Sequence, residues 1–156
     1  MTNKTEYILA NENKTKSLAK KISRIAKEGD VFALYGTLGM GKSVFARAFI
    51  QELCGESEEV PSPTFTLLQT YGTKSFDIYH FDLYRLKSPN EVFELGIEEA
   101  FYSSVCLIEW PEKMGRYLPK DIFKVEILPY MNGRKIVIET SSEEKFKRIS
   151  SIGDLL

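Results

Sequence analysis

The chain has 156 residues, with 21 basic and 22 acidic side chains and a net charge of -1, which argues against a large uniform basic face and makes any nucleic-acid contact an indirect or weak one. A chain of this length folds most simply as one domain, residues 1–156, able to bury about two-thirds of the surface its unfolded form exposes. No apolar run reaches the length of a membrane span, the polar opening Met1-Thr2-Asn3-Lys4-Thr5-Glu6 is unlike a signal peptide, and Cys54 and Cys106 lack metal-ligand or disulfide spacing; the expected location is cytoplasmic, away from membranes, with both thiols buried and reduced.

In chain order, residues 14–27 set Leu18, Ile22, Ile25 and Ala26 on one helical face, with a cap at Asn13 or Thr15 and a stop at Gly29. Residues 31–35 are unbroken apolar, as in a strand covered on both faces of a parallel sheet. Residues 44–53 return to helical spacing through Phe45, Ala48, Phe49 and Leu53, with Gly55 just past the end. A polar loop, 56–61, leads to strands expected at 65–71 and 76–83 around the turn Gly72-Thr73-Lys74. Ser88-Pro89-Asn90-Glu91 opens a helix, Val105 to Ile108 form a short apolar run ending at Glu109, and runs 123–128 and 134–139 make a hairpin across residues 129–133 before a charged helix from about Ser142. The expected fold is α/β, a P-loop NTPase-like mixed β-sheet flanked by helices.

Between the first strand and the second helix, Gly36-Thr37-Leu38-Gly39-Met40-Gly41-Lys42-Ser43 satisfies the pattern G-x-x-x-x-G-K-[ST]. A backbone wrapped around polyphosphate must turn successive N–H groups inward, through conformations that side chains obstruct, which is why Gly36, Gly39 and Gly41 recur. Residues 37 to 44, including Thr37, Leu38, Gly39, Met40, Gly41 and Val44, then form the nucleotide cradle. Lys42 brings a point charge to the β- and γ-phosphates, and Ser43 brings a hydroxyl to magnesium at a helix N-terminus. Such a site needs a carboxylate at the end of a neighbouring buried strand, and both Asp82 and Glu109 have that form.

The segments Gly36 to Ser43, Ser62-Pro63-Thr64-Phe65-Thr66, Tyr79-His80-Phe81-Asp82-Leu83-Tyr84-Arg85 and Ile108-Glu109-Trp110-Pro111 together resemble the bacterial TsaE family, formerly YjeE, in order and approximate spacing over residues 5–140. The resemblance implies an ATPase that binds ATP/ADP with Mg2+ and works with the TsaB and TsaD proteins. That complex installs threonylcarbamoyl on adenosine 37 of tRNAs reading codons that begin with A. It further implies that Lys42, Ser43 and Glu109 hold Mg-nucleotide, with Ser43 and Glu109 on the metal, and that Asp82 is needed for activity. The segment from Ser62 to Thr66 is implied to be a switch near the γ-phosphate, leaving Thr64 and Thr66 as candidates for contact with phosphate, magnesium or the attacking water. Thr37, Met40 and Ser43 depart from the usual Asp, Ala and Thr of that family; Ser43 keeps the hydroxyl, and backbone binding tolerates all three.

Other residues carry open alternatives. His80, the one histidine, is a catalytic imidazole or, as the favoured reading, an ordering hydrogen-bonding residue. Trp110 covers the nucleotide, marks a partner surface or fills the core. Arg85 pairs with phosphate or, preferably, Asp82. Arg134 matches a basic residue that the family places near nucleotide, or is solvated at its turn. Residues 11–15, Thr15 among them, lie in the segment that the family places beside adenine. A small-molecule kinase is less well supported because no Arg-rich lid is present, and a GTPase would need N-K-x-D late in the chain, where none occurs. A nucleotide-gated binding module with little turnover stays open as an alternative.

Overall fold

The computed structural model describes residues 2–37 and 39–153. Its strands are β1 (Asn3–Leu9), β2 (Val31–Tyr35), β3 (Leu68–Gly72), β4 (Asp77–Asp82), β5 (Ser104–Glu109), β6 (Phe123–Tyr130) and β7 (Gly133–Thr140), and its helices are α1 (Glu12–Arg24), α2 (Lys42–Cys54), α3 (Ile97–Ser103) and α4 (Glu143–Ser150). One seven-stranded sheet runs in the order β1-β7-β6-β2-β5-β4-β3. The centre is parallel, with β2 beside β5 and β6 and β4 beside β5, whereas β1, β7 and β3 pair antiparallel at the two flanks. The expected mixed sheet is therefore present.

Alternation along the central strands divides the core. Phe32 and Leu34 of β2 and Val105 and Leu107 of β5 face the layer built by α1, α2 and α4, through Leu18, Ile22, Phe45, Phe49, Ile50 and Ile149. Val31, Ala33, Cys106 and Ile108 face the opposite layer, where Val92, Ile97, Ala100 and Met114 cover them. Burial on both faces is what the unbroken apolar run at 31–35 requires. Phe32 stacks on Phe123 with centroids 4.6 Å apart and meets Phe49 edge-on at 5.2 Å; such pairs contribute about 0.5–1.5 kcal/mol each beyond the area they bury.

Several boundaries differ from the sequence expectation, each for a local reason. The Asn11 side chain, not that of Asn13 or Thr15, caps α1 by accepting from the Lys14 N–H at 3.1 Å. That helix ends at Arg24, where the Ile25 N–H donates to the Ile22 carbonyl at 3.1 Å and the Ala26 N–H to the Ser23 carbonyl at 3.3 Å, so Gly29 turns the chain later and does not stop it. The strand expected from Phe65 starts at Leu68, because the Leu67 N–H closes a turn on the Pro63 carbonyl at 2.7 Å and Leu67 takes a φ of 66°. The helix expected at Pro89 is a 3₁₀ segment, Pro89–Leu95, broken from α3 by Gly96 at φ 75°. β6 and β7 run closer together than expected and leave Met131-Asn132 as their connection. β1 was not anticipated; residues 3–8 alternate only between partial burial and exposure, Leu9 alone enters the core, and pairing with β7 over seven residues holds the strand.

Cys106 is buried as expected, and burial pushes its thiol up to about 12. Cys54 is half-buried, because it sits at the last turn of α2 beside the Gly72 carbonyl. Among the described residues, no helix is long and apolar enough to cross a membrane.

Candidate functional site

The carboxyl ends of β2, β4 and β5 open onto a cleft of about 450 Å³, the position where open α/β sheets take ligands. The loop after β2 reaches α2 through Gly41, whose φ of 104° is open to glycine and obstructed for other residues. α2 then points its first turn into the cleft, with Gly39, Met40, Gly41, Lys42, Ser43 and Val44 on the wall. Leu38 lies outside the described residues. Thr37 is exposed, does not line the cleft, and contributes its carbonyl to the Met40 N–H.

Lys42 is buried, donates from Nζ to the Gly36 carbonyl at 2.6 Å and lies 3.7 Å from the centroid of the Trp110 ring. Burial holds its ammonium below the usual lysine range, while the carboxylates of Glu109, Glu112 and Asp82 oppose that effect. Trp110 itself has a φ of 60°, uncommon for a bulky residue, and its ring meets Tyr84 at 4.9 Å. The indole therefore stands half-buried on the cleft wall, packed against Lys42 on one side and against the core cluster below β5 on the other.

Asp82 and Glu109 are cross-strand partners on β4 and β5, both buried. Glu109 accepts from the Ser43 hydroxyl at Oε1, 3.3 Å, and meets His80 Nε2 through Oε2 at 2.7 Å. Asp82 accepts from the Thr64 hydroxyl at 3.2 Å and from the Tyr84 N–H at 3.0 Å. Thr64 also shares a 2.7 Å hydrogen bond with Ser62, so the 62–64 segment is tied hydroxyl by hydroxyl to Asp82. Thr66 is not part of this group: it is exposed, off the cleft, and accepts from Gln69 at 3.1 Å. Arg85 does not pair with Asp82, because its guanidinium stacks on the exposed Phe65 ring at 4.4 Å.

The far wall comes from the start of α1 and the β6–β7 hairpin, which bring Asn11, Glu12, Thr15, Asn132, Gly133 and Arg134 to the same cleft. Gly133 permits this approach, since a Cβ there would lie 2.1 Å from the Leu9 carbonyl oxygen. Arg134 is not simply solvated at its turn. It donates to the carbonyls of Met40 at 3.3 Å and Gly39 at 3.4 Å, bracing the glycine loop from a strand 94 residues away. Arg134→Ala is expected to weaken nucleotide binding about tenfold, in line with about 1.5 kcal/mol for lost charged hydrogen bonds, measured by titration with a fluorescent ADP. Asn132 and Gly133 were not singled out from sequence as site residues, whereas Asn11, Glu12 and Ser62 entered only as members of the segments 11–15 and 62–66.

The family model described as "Threonylcarbamoyl adenosine biosynthesis protein TsaE" matches residues 9–136. This chain belongs to the TsaE family. It is 46% identical over 138 residues to a "tRNA threonylcarbamoyladenosine biosynthesis protein TsaE" from Rickettsia felis, covering 87% of this chain and 81% of that one. The Bacillus subtilis protein of the same description is 38% identical over 118 residues, covering 75% and 73%. In structure the chain is similar to Bacillus subtilis YdiB, with a TM-score of 0.78 at 26% identity, covering 97% of this chain and 95% of that one. Membership assigns the chain to tRNA threonylcarbamoyladenosine biosynthesis. The segment matching the TsaE family model contains every cleft residue, whereas α4 lies beyond it.

The donor set fits a hard divalent cation shared with phosphate. It offers the Ser43 hydroxyl beside the two buried carboxylates Asp82 and Glu109, with the Ser62 and Thr64 hydroxyls on the same wall, and among the described residues no cluster of three or more His, Cys, Asp or Glu side chains could hold a metal by itself. Magnesium held through one or two carboxylates and substrate phosphates has that character.

Proposed function

We propose that the chain is a slow Mg2+-dependent ATPase subunit that supports threonylcarbamoylation of adenosine 37 in tRNAs reading codons that begin with A, acting with TsaB and TsaD. The observation that carries this reading is the convergence of Lys42, Ser43, Thr64, Asp82 and Glu109, drawn from four separate segments, on the mouth of one glycine-loop cleft. Lys42 and the N–H groups opening α2 bind the phosphates, Ser43 and Glu109 are the ligands for magnesium, and Thr15 and Trp110 flank the remainder of the nucleotide. When bound, magnesium neutralises charge developing on the β- and γ-phosphate oxygens. Thr64 and Asp82 orient the water that attacks the γ-phosphate.

Both oxygens of Asp82 already accept protein hydrogen bonds, so one of these contacts must be shared or released before the carboxylate can take a proton from water, which favours slow turnover in the isolated chain. The same observation supports a second reading, a nucleotide-gated module that orders its partners and hydrolyses little alone. The test is phosphate release by the chain alone and with TsaB and TsaD, using Lys42→Ala as blank. Stimulation by the partners supports an ATPase completed in the complex; phosphate transfer to a small metabolite, indifferent to the partners, would overturn the assignment. In the stimulated complex, Asp82→Asn is expected to lower kcat about 100-fold while nucleotide affinity changes little. Unaltered hydrolysis would remove Asp82 from the mechanism.

A further inference from the structure

We propose that His80 is a positioning residue for Glu109, fixing the carboxylate that receives the metal; this rests on the Mg-nucleotide reading above. On parallel strands β4 and β5, His80 is level with Leu107 and Asp82 is level with Glu109. His80 therefore stands two residues deeper in the sheet than Asp82, on the same face, and is absent from the cleft wall. It instead meets Glu109 Oε2 at 2.7 Å, with the two side chains 2% and 4% exposed.

An ionised carboxylate only accepts hydrogen bonds, so this contact requires the imidazole proton on Nε2. The other ring nitrogen, Nδ1, is buried with no hydrogen-bond partner in the described structure, and the neutral tautomer leaves it as an acceptor, so no second buried N–H goes unsatisfied. With Oε2 engaged behind, Oε1 is the oxygen directed to the Ser43 hydroxyl. Without His80, Oε2 becomes a buried acceptor lacking a donor, and the Glu109 side chain is free to rotate away from Ser43. Residues that orient a metal ligand in this way typically alter metal affinity about 10- to 100-fold when removed.

The test is a titration of the whole chain with a fluorescent ADP at increasing Mg2+, and again in chelator without Mg2+. For His80→Leu we expect the Mg2+ midpoint to rise about 10- to 100-fold, with Mg-free nucleotide affinity within about twofold of the parent because the loop and Lys42 are untouched. His80→Gln, whose amide nitrogen takes the place of Nε2, is expected to restore most of the Mg2+ response. Thermal melts confirm folding; if His80→Leu does not fold, His80→Asn, whose shorter amide falls short of Oε2, carries the same comparison. A Mg2+ midpoint equal to the parent's in the donor-lacking variant, or an equal loss of affinity with and without Mg2+, overturns the positioning role. Absence of nucleotide binding by the parent chain would instead overturn the ATPase reading itself.

Discussion

Lys42→Ala is expected to reduce ATP hydrolysis by about 10² to 10³-fold, the usual consequence of removing one preorganised donor from a developing anion. Among the described cleft residues the cationic side chains are Lys42 and Arg134, and Arg134 is engaged with loop carbonyls. Lys42 is thus the charge available to phosphate. Its ammonium rests between the Gly36 carbonyl and the Trp110 face, so engaging phosphate exchanges both contacts for a charge-assisted one. Because Trp110 is the single tryptophan, its emission should change on nucleotide binding in the parent and remain flat in Lys42→Ala. The fold should survive, since the structural loss is the cation–π contact with Trp110, about 0.5–1 kcal/mol, and the hydrogen bond to the Gly36 carbonyl, about 1.5–3 kcal/mol, read as a fall of several degrees in Tm. Lys42→Arg should rescue poorly, as a planar fork does not replace a compact ammonium enclosed by backbone. Normal support of tRNA modification by Lys42→Ala would end the ATPase proposal.

Arg148→Ala is expected to destabilise the chain by about 3–5 kcal/mol, the range for removing one partner of a buried ion pair, a large part of the roughly 5–15 kcal/mol typical of a folded domain. The Arg148 guanidinium of α4 makes two hydrogen bonds to Asp30, at 2.6 and 2.8 Å, and one to the Ile25 carbonyl at 2.8 Å. The Asp30 side chain is 4% exposed and that of Arg148 12%. The pairing raises the guanidinium pKa further above its already high ordinary value, with the Asp30 hydrogen bonds as the main cause. Alanine strands the Asp30 carboxylate at the entry to β2 and removes the anchor between α4 and the end of α1. Urea unfolding should show the loss as a lower midpoint with an unchanged m-value. The double variant Asp30→Asn with Arg148→Met should recover most of it, because no unpaired charge is left buried. Nucleotide affinity should change little in either, since the pair is not on the cleft wall. A fall below about 1 kcal/mol for Arg148→Ala would mean that water reaches Asp30 and the clamp is weak.

Local chemistry determined a good part of this protein from the sequence alone. The apolar run Val31 to Leu34 can be satisfied only by burial on both faces, and Gly41 marks a backbone turn that β-carbons obstruct. Lys42, Ser43, Asp82 and Glu109 were legible because their spacing to those elements puts them at strand ends and a helix start. β1 and the turn at 63–67 were not legible, because one is held by pairing with a strand more than 120 residues later and the other by a positive φ at Leu67 that no residue type announces. Only the tertiary structure distinguishes Thr64 from Thr66, since both carry hydroxyls and the turn brings Thr64 to Asp82 and the cleft wall while Thr66 meets Gln69. It also placed His80 behind Glu109, laid Lys42 on Trp110 and set Arg134 against the glycine loop. Those contacts join residues 29 to 95 positions apart, and local pattern cannot reach them because they depend on the order in which strands assemble into the sheet.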